Sequence, residues 1–268
     1  MLNLAAVVAV VVGLEICLAS RLHSVGPAII AAGCILAYIA GTKFIERRQP
    51  FELALKRALP EFFAGLALGF LLFSVVMAVL FLLHVYQPVG WGSVRRLGSG
   101  FLFAVLAGVT EEIVFRGLLF RVSAKIIGTW GALIATSALF GAAHASNPGA
   151  TFASSLAIAL EAGILLGAAY AATQRLWVPI GLHVGWNFTE GSIFSMNISG
   201  TGIHEGLVRG SLSGPRSLTG GEFGPEASVV AVILCMVAAI WFLWRIIKLH
   251  RAEPPIFGKR QSEVPAPA

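Results

Sequence analysis

F-L-F-A-V-L-A-G-V-T-E-E-I-V-F-R-G-L-L-F, residues 101–120, is the stretch that decides the fold. It is apolar over about the 20 residues that a helix needs to cross a hydrocarbon core, yet Glu111, Glu112 and Arg116 stand in its middle. At 1.5 Å per residue the two acids lie about 16 Å from either end, near mid-bilayer. Ionisable groups at that depth are costly and mark function by default.

Helical geometry divides the work of the acids. At about 100° per residue, Glu112 and Arg116 are about 40° apart, while Glu111 points about 140° away from the arginine. Glu112 is therefore expected to be neutralised within its own helix by an i, i+4 pair. Glu111 faces elsewhere without a cation, as a general base or acid needs.

The rest of the chain agrees with a bilayer solvent. Hydrophobic residues make up 57% and charged residues 12%, with a mean hydropathy of +0.85; a soluble domain carries about 25% charged residues. Apolar segments are expected at roughly 2–20, 27–45, 61–86, 101–122, 128–146, 152–172, 178–196 and 228–249, each near spanning length. The expected fold is an all-α polytopic bundle of about eight transmembrane helices enclosing a polar site. Residues 1–251 form its single domain, with a motif-bearing core at about 100–196. The first segment has no basic n-region and no A-x-A cleavage site, so it is expected to be a retained helix.

A net charge of +6 might suggest nucleic acid, but the basic residues cluster between apolar segments, at Lys43, Arg47, Arg48, Lys56 and Arg57 and again at Arg245, Lys248, Arg251, Lys259 and Arg260. That distribution is a topology signal and puts both termini in the cytoplasm. No nucleic-acid partner is expected. Cys17, Cys34 and Cys235 sit in apolar runs and form neither a disulfide framework nor a metal motif.

Glycines recur at helix-packing spacing in Gly65/Gly69, Gly163/Gly167 and Gly181/Gly185, and such pairs let helix backbones approach closely in lipid. Residues 197–227 are rich in Gly and Ser and read as a long non-cytoplasmic loop, of a length that is uncommon unless functional or mobile. Residues 252–268 are Pro-rich and polar and are expected to be a disordered tail.

Two further helices carry polar groups. In F-G-A-A-H, Phe140 and His144 share a face at i, i+4; in H-V-G-W-N, His183 and Asn187 do the same. Two histidines on separate helices, beside an unpaired glutamate, point to a site rather than to packing. Glu15 and Glu161 are further buried acids, expected to pair with polar neighbours, with Glu161 a candidate support of the site.

Together E-E-x-x-x-R, F-x-x-x-H and H-x-x-x-N, on successive helices, resemble the CPBP intramembrane proteases, the family of the type II CAAX prenyl endopeptidases and the bacterial Abi-type proteins. The resemblance covers about residues 100–230, and the run T-G-G-E-F-G-P-E-A-S at 219–228 is similar to a segment of many bacterial members. It implies hydrolysis of a membrane-protein or lipidated-peptide substrate inside a membrane, with the bacterial cell membrane as the expected location. It further implies that Glu111 and His144 activate water, that His183 and Asn187 hold the carbonyl and its oxyanion, and that Glu112, Arg116 and Phe140 support the site.

Glu111, His144 and His183 could also supply a His₂Glu zinc set. That would leave no uncommitted acid as base, so a reaction without a cofactor is the preferred expectation and zinc the alternative. The motif H-E-x-x-H is absent, since Val208 follows His204-Glu205 where a second histidine belongs. G-S-L-S-G at 210–214 lies in a loop and lacks the rhomboid G-x-S-G spacing. A transporter or proton relay is the rival from another class; such proteins usually carry structural repeats, and none is visible here. Substrate identity and oligomeric state are not written in these motifs.

The site also poses a question of depth. Counted from segment ends, Glu111 is mid-span, His144 is at the far end of its helix and His183 is near the start of its own. The expected resolution is that the turn Ser146–Gly149 folds within the bundle and lines a wet cavity.

Overall fold

The computed structural model describes residues 26–202 and 205–256. The expected first span, with Glu15, and the tail beyond 256 lie outside them. Helix α1 (Gly26–Ala40) runs on into a π-helical turn, Gly41–Ile45. Helix α2 is Ala58–Leu82. Helix α3 (Leu97–Glu112) passes through a π-helical stretch, Ile113–Phe120, into α4 (Arg121–Ala143), which ends in a 3₁₀ turn, His144–Ser146. Then come α5 (Phe152–Ile158), a π-helical turn Ala159–Ile164 and α6 (Leu165–Thr173). Helix α7 (Trp177–Asn187) continues as a π-helical turn, Phe188–Ile193. A short α8 (Arg216–Thr219) precedes the last long helix, α9 (Val229–Lys248).

Among the described residues, five helical stretches are long and apolar enough to cross a membrane: Gly26–Ile45, Ala58–Leu82, Val94–Ser146, Phe152–Thr173 and Val229–Lys248. The third holds 53 residues and covers two of the expected spans. Its helix breaks at Gly128, where φ is +77°, a conformation open to glycine at little steric cost. The segment expected to span at 178–196 is helical over Trp177–Asn187 and on through Phe188–Ile193. It is the central helix, buried continuously from Pro179 to Asn187, and so does not meet lipid along its length. Large apolar side chains are exposed around the outside, among them Leu36, Leu59, Phe63, Leu71, Ile134, Ile233, Val237 and Ile240. A polar-cored bundle with such a perimeter is an integral membrane protein.

The glycine pairs explain how α7 is seated. A Cβ on Gly65 or Gly69 would lie 2.2 or 2.1 Å from the carbonyl oxygens of Val178 and Leu182. One on Gly181 or Gly185 would lie 2.1 or 2.2 Å from those of Phe62 and Leu66. The first and third pairs therefore interlock, backbone against backbone. At about 100° per residue His183 points about 200° from Gly181, so the face opposite this contact carries the histidine towards α3.

One departure from all-α is a two-stranded antiparallel ribbon of β1 (Tyr86–Trp91) and β2 (Val208–Leu212). Tyr86 pairs with Leu212 and Trp91 with Val208, and a bulge at Val89 interrupts the register, which lets Pro88 sit in a strand. The Gly- and Ser-rich composition of 197–227 hid this partner strand. The loop is also anchored elsewhere: Asn147 donates to the carbonyl of Ser199 at 2.8 Å, and the amide of Gly200 to that of Phe223 at 2.8 Å.

The tail begins as an ordered segment. The amide of Thr129 donates to the Glu253 carbonyl at 2.9 Å, and the Glu253 amide donates to the Thr129 hydroxyl at 2.8 Å. These bonds fill positions that the helix break at Gly128 leaves open.

Candidate active site

Glu112 ends α3 and is fully buried. Its Oε1 accepts from Arg116 Nη1 at 2.7 Å and lies 3.1 Å from His183 Nδ1. The i, i+4 pair stands as its spacing predicts, and the histidine joins it from α7. Arg116, 1% exposed, reaches on to the carbonyls of Ala162 and Gly163, both at 3.1 Å. These belong to the π-helical turn Ala159–Ile164, whose altered ladder leaves carbonyls in need of donors. Arg116 thus ties its own helix to the α5–α6 turn, and Glu112 adds α7 through His183.

Glu111 faces away from this network. Its side chain is 31% exposed, and its Oε2 stands 3.9 Å from His144 Nε2, with no hydrogen-bond partner for that oxygen among the described residues. His144 is oriented by its other nitrogen, Nδ1, which lies 2.8 Å from the Phe140 carbonyl. A proton on Nδ1 donated to that carbonyl leaves Nε2 as the acceptor.

Phe140 explains the aromatic position of F-x-x-x-H. Its ring centroid lies 4.8 Å from that of His144, 6.3 Å from that of His183 and 4.8 Å from that of Phe115. The Arg116 guanidinium carbon sits 4.7 Å from the same ring, within cation–π range. One buried ring sets the spacing of both histidines and the arginine.

A narrow cavity opens here, with about 380 Å³ of space between atoms, part of it reaching the outside. Phe140, His144, His183 and Asn187 line it, as do Glu161, Ser199 and Glu226. Sequence reasoning placed Ser199 and Glu226 in the long loop without naming them as site residues. It also passed over Glu190, a fully buried acid in the π-helical turn after Asn187, though an acid inside an expected span is a signal of its own. Burial pushes the Glu226 carboxyl above its ordinary value, while the bond from the Ser199 hydroxyl and the proximity of His144 draw it back.

The depth question is answered differently from the expectation. His144 is brought level with Glu111, but the turn after it is not enclosed, since Ser146, Pro148 and Gly149 are exposed. The loop touches the turn on one side: a Cβ on Gly200 would meet the Pro148 carbonyl at 1.9 Å, and one on Gly149 the Glu222 side chain at 2.8 Å.

Glu111, His144 and His183 do not close into a ligand set: among the described residues no group of three or more His, Cys, Asp or Glu is arranged to hold a metal ion. Both histidines are bonded through Nδ1, His183 to Glu112 and His144 to a carbonyl, which leaves Nε2 of each ring free.

No curated protein matches the chain. Residues 93–189, which run from the ribbon through α3, α4 and α7 and hold Glu111, Glu112, Arg116, Phe140, His144, His183 and Asn187, match the sequence model of the Rce1-like family, the type II CAAX prenyl endopeptidases.

Proposed function

We propose that this protein is an intramembrane endopeptidase that hydrolyses a peptide bond of a membrane-associated protein or lipidated peptide with a water activated by Glu111 and His144. The observation that carries the reading is the facing pair Glu111 Oε2 and His144 Nε2, 3.9 Å apart. That separation is too long for a direct hydrogen bond and suits two groups sharing one water. As the water oxygen attacks the carbonyl carbon, its proton passes to this pair and later to the leaving amine.

The oxyanion would meet His183 and Asn187. With Nδ1 held by Glu112, His183 presents Nε2 to the cavity, and with a proton on each nitrogen it donates there. Glu112 and Arg116 orient that histidine, and Phe140 fixes its distance from His144.

The reaction is proposed to need no metal. Using Glu111 as a ligand would remove the base that activates the water. The lipid bilayer is the proposed setting, with both termini cytoplasmic.

The test uses protein reconstituted in vesicles with a quenched-fluorescent farnesylated C-a-a-X peptide and a membrane-anchored reporter. Cleavage of either should be lost in Glu111→Gln and should survive exhaustive chelation. Stoichiometric zinc, with activity lost on chelation and restored by zinc, would overturn the metal-free mechanism. Ion-dependent flux altered by Glu111→Gln, with no cleavage by wild type, would overturn the peptidase reading. Comparing membranes from wild type and Glu111→Ala for accumulated precursors would identify the natural substrate.

A further inference from the structure

The two-stranded ribbon is amphipathic, and the protein leaves much of its apolar face uncovered. Paired residues of an antiparallel ribbon share a face, and the faces alternate along each strand. Tyr86 with Leu212, Pro88 with Gly210 and Trp91 with Val208 make one face; Gln87 with Ser211 and Gly90 with Arg209 make the other. The first face has no charged residue, whereas the second carries Gln87, Arg209 and Ser211. The inner end of the apolar face is packed: Tyr86 is buried, and its ring centroid lies 6.0 Å from that of Phe194. The outer end is not. Val89, in the bulge, is 69% exposed and Trp91 75%. Between this face and α2 runs a largely apolar groove of about 540 Å³, with Met77, Phe81, Tyr86, Pro88, Phe194 and Val208 in its wall.

Two observations identify what covers this face. The first is continuity with the lipid-facing surface. Phe81, Leu82 and Leu83, at the end of α2, are all more than half exposed. The chain turns from them straight into β1, with the Val85 amide donating to the Leu80 carbonyl at 2.9 Å, so the ribbon starts level with the last turn of a spanning helix. The second is charge. Residues 84–102 and 208–212 contain no acid, while Arg95, Arg96 and Arg209 stand exposed on or beside the ribbon. Arg96 is paired with Glu205 at 3.4 Å. Arg95 and Arg209 have no acidic partner among the described residues, and Arg209 Nε donates to the Trp91 carbonyl at 3.1 Å, beside the exposed indole. Aromatic rings and cations together suit a membrane–water interface, and unpaired arginines there attract anionic headgroups.

We propose that the ribbon is an interfacial membrane anchor. Its apolar face, with Val89 and Trp91, lies on the acyl chains of the leaflet at its own end of the bundle, and an acyl chain occupies the groove against α2. Arg95 and Arg209 hold the phosphate of an anionic phospholipid, which stands above the acyl chains, level with the polar face. Gln87 and Ser211 are left to the water. Since β2 belongs to the same loop as Ser199 and Glu226, the anchor holds that loop on the membrane surface close to the cavity.

The test reads no peptidase activity, so its outcome is separate from that of the proposed function. Val89→Cys and Ser211→Cys, each labelled with an environment-sensitive fluorophore, are reconstituted in vesicles of phosphatidylcholine and phosphatidylglycerol, with the parent chain treated in the same way as background. Phosphatidylcholine carrying a nitroxide high on its acyl chain should quench the probe at Val89 and leave that at Ser211 nearly unchanged, and aqueous iodide should do the reverse. Equal quenching of both sites by iodide overturns the anchor. Crosslinking between chains through Val89→Cys, in place of quenching by lipid, overturns it in favour of a second copy. In a second arm, nitroxide-bearing phosphatidylglycerol should quench the Val89 probe at least about twofold more than nitroxide-bearing phosphatidylcholine. Arg95→Gln with Arg209→Gln should abolish that difference, and Arg95→Gln alone, which removes no hydrogen bond of the ribbon, should reduce it. Equal quenching by the two lipids, or a difference that survives in the double variant, overturns the headgroup role of the arginines.

Discussion

Glu111 and Glu112 are neighbours in sequence with opposite tasks, and their substitutions should separate cleanly. Glu111 is partly exposed, and its Oε2 lacks a hydrogen-bond partner. Glu111→Gln should therefore leave thermal unfolding in detergent close to wild type while cutting kcat by about 10²–10⁴. Glu112 is the hub of a buried network. Glu112→Ala should cost about 3–5 kcal/mol, because it strands Arg116 as an uncompensated buried charge. Equal stability losses in the two variants, with activity per folded molecule retained, would show that the roles are misassigned. Phe140→Leu should keep the bundle folded and still reduce kcat, since its ring is what both histidines rest against.

At the scale of elements, the interlocked glycines of α2 and α7 set the position of His183. Gly69→Val should push α7 away and destabilise the protein by at least about 1–3 kcal/mol, with a loss of activity in the fraction that remains folded. Gly33 on α1 has no atom within 4 Å of a Cβ, so Gly33→Ala should be neutral or stabilising by up to about 1 kcal/mol. A similar Tm for both variants would show that close backbone approach is not what seats α7. The α1–α2 connection adds a pH-dependent tie. Burial alone would raise the Glu52 carboxyl, but bonds from Arg48 and Tyr38 hold it below its ordinary value near 4.5. A depressed value means that the stabilisation is present above the unfolded value and is lost as pH falls through the folded one. Unfolding followed from pH 7 down to about pH 3 should show this loss, and Glu52→Gln should lower stability at pH 7 and flatten the acid dependence.

For the whole molecule, the basic ends define an orientation. Arg245 lies 5.0 Å from the Trp241 ring and Lys248 4.5 Å from that of Trp244. Amphipathic rings and cations together suit a membrane–water interface. Arg251 reaches the Ala172 carbonyl at the end of α6, so the C-terminal end of α9 and that of α6 share one side. The ribbon and the long loop lie towards the other ends of these helices. A cysteine at Lys56 should be protected in intact cells from a membrane-impermeant thiol reagent, and one at Ser211 should react readily. Labelling of both from outside would reverse or break the proposed orientation.

What the sequence by itself determined was the solvent and the pairing of faces. Apolar segments without enough charge to cover a soluble surface require a bilayer, and the spacing of Glu112 and Arg116 requires them to meet on one helix. The three motifs that make up most of the candidate site were legible for the same reason, since each is a local pattern on one helix. Helical periodicity could not say how the helices are turned against one another. That Gly65 and Gly69 meet Gly181 and Gly185, that His183 reaches Glu112, and that Phe140 spaces the two histidines depends on contacts between distant segments. The π-helical turns after Glu112, around Glu161 and after Asn187 alter those directions without leaving a mark in the hydropathy. The loop was least legible: its glycines read as freedom, whereas in the folded chain they permit close packing that carries Ser199 and Glu226 to the cavity wall. Glycine is compatible with either a mobile chain or a crowded one, and only the surrounding tertiary structure decides between them.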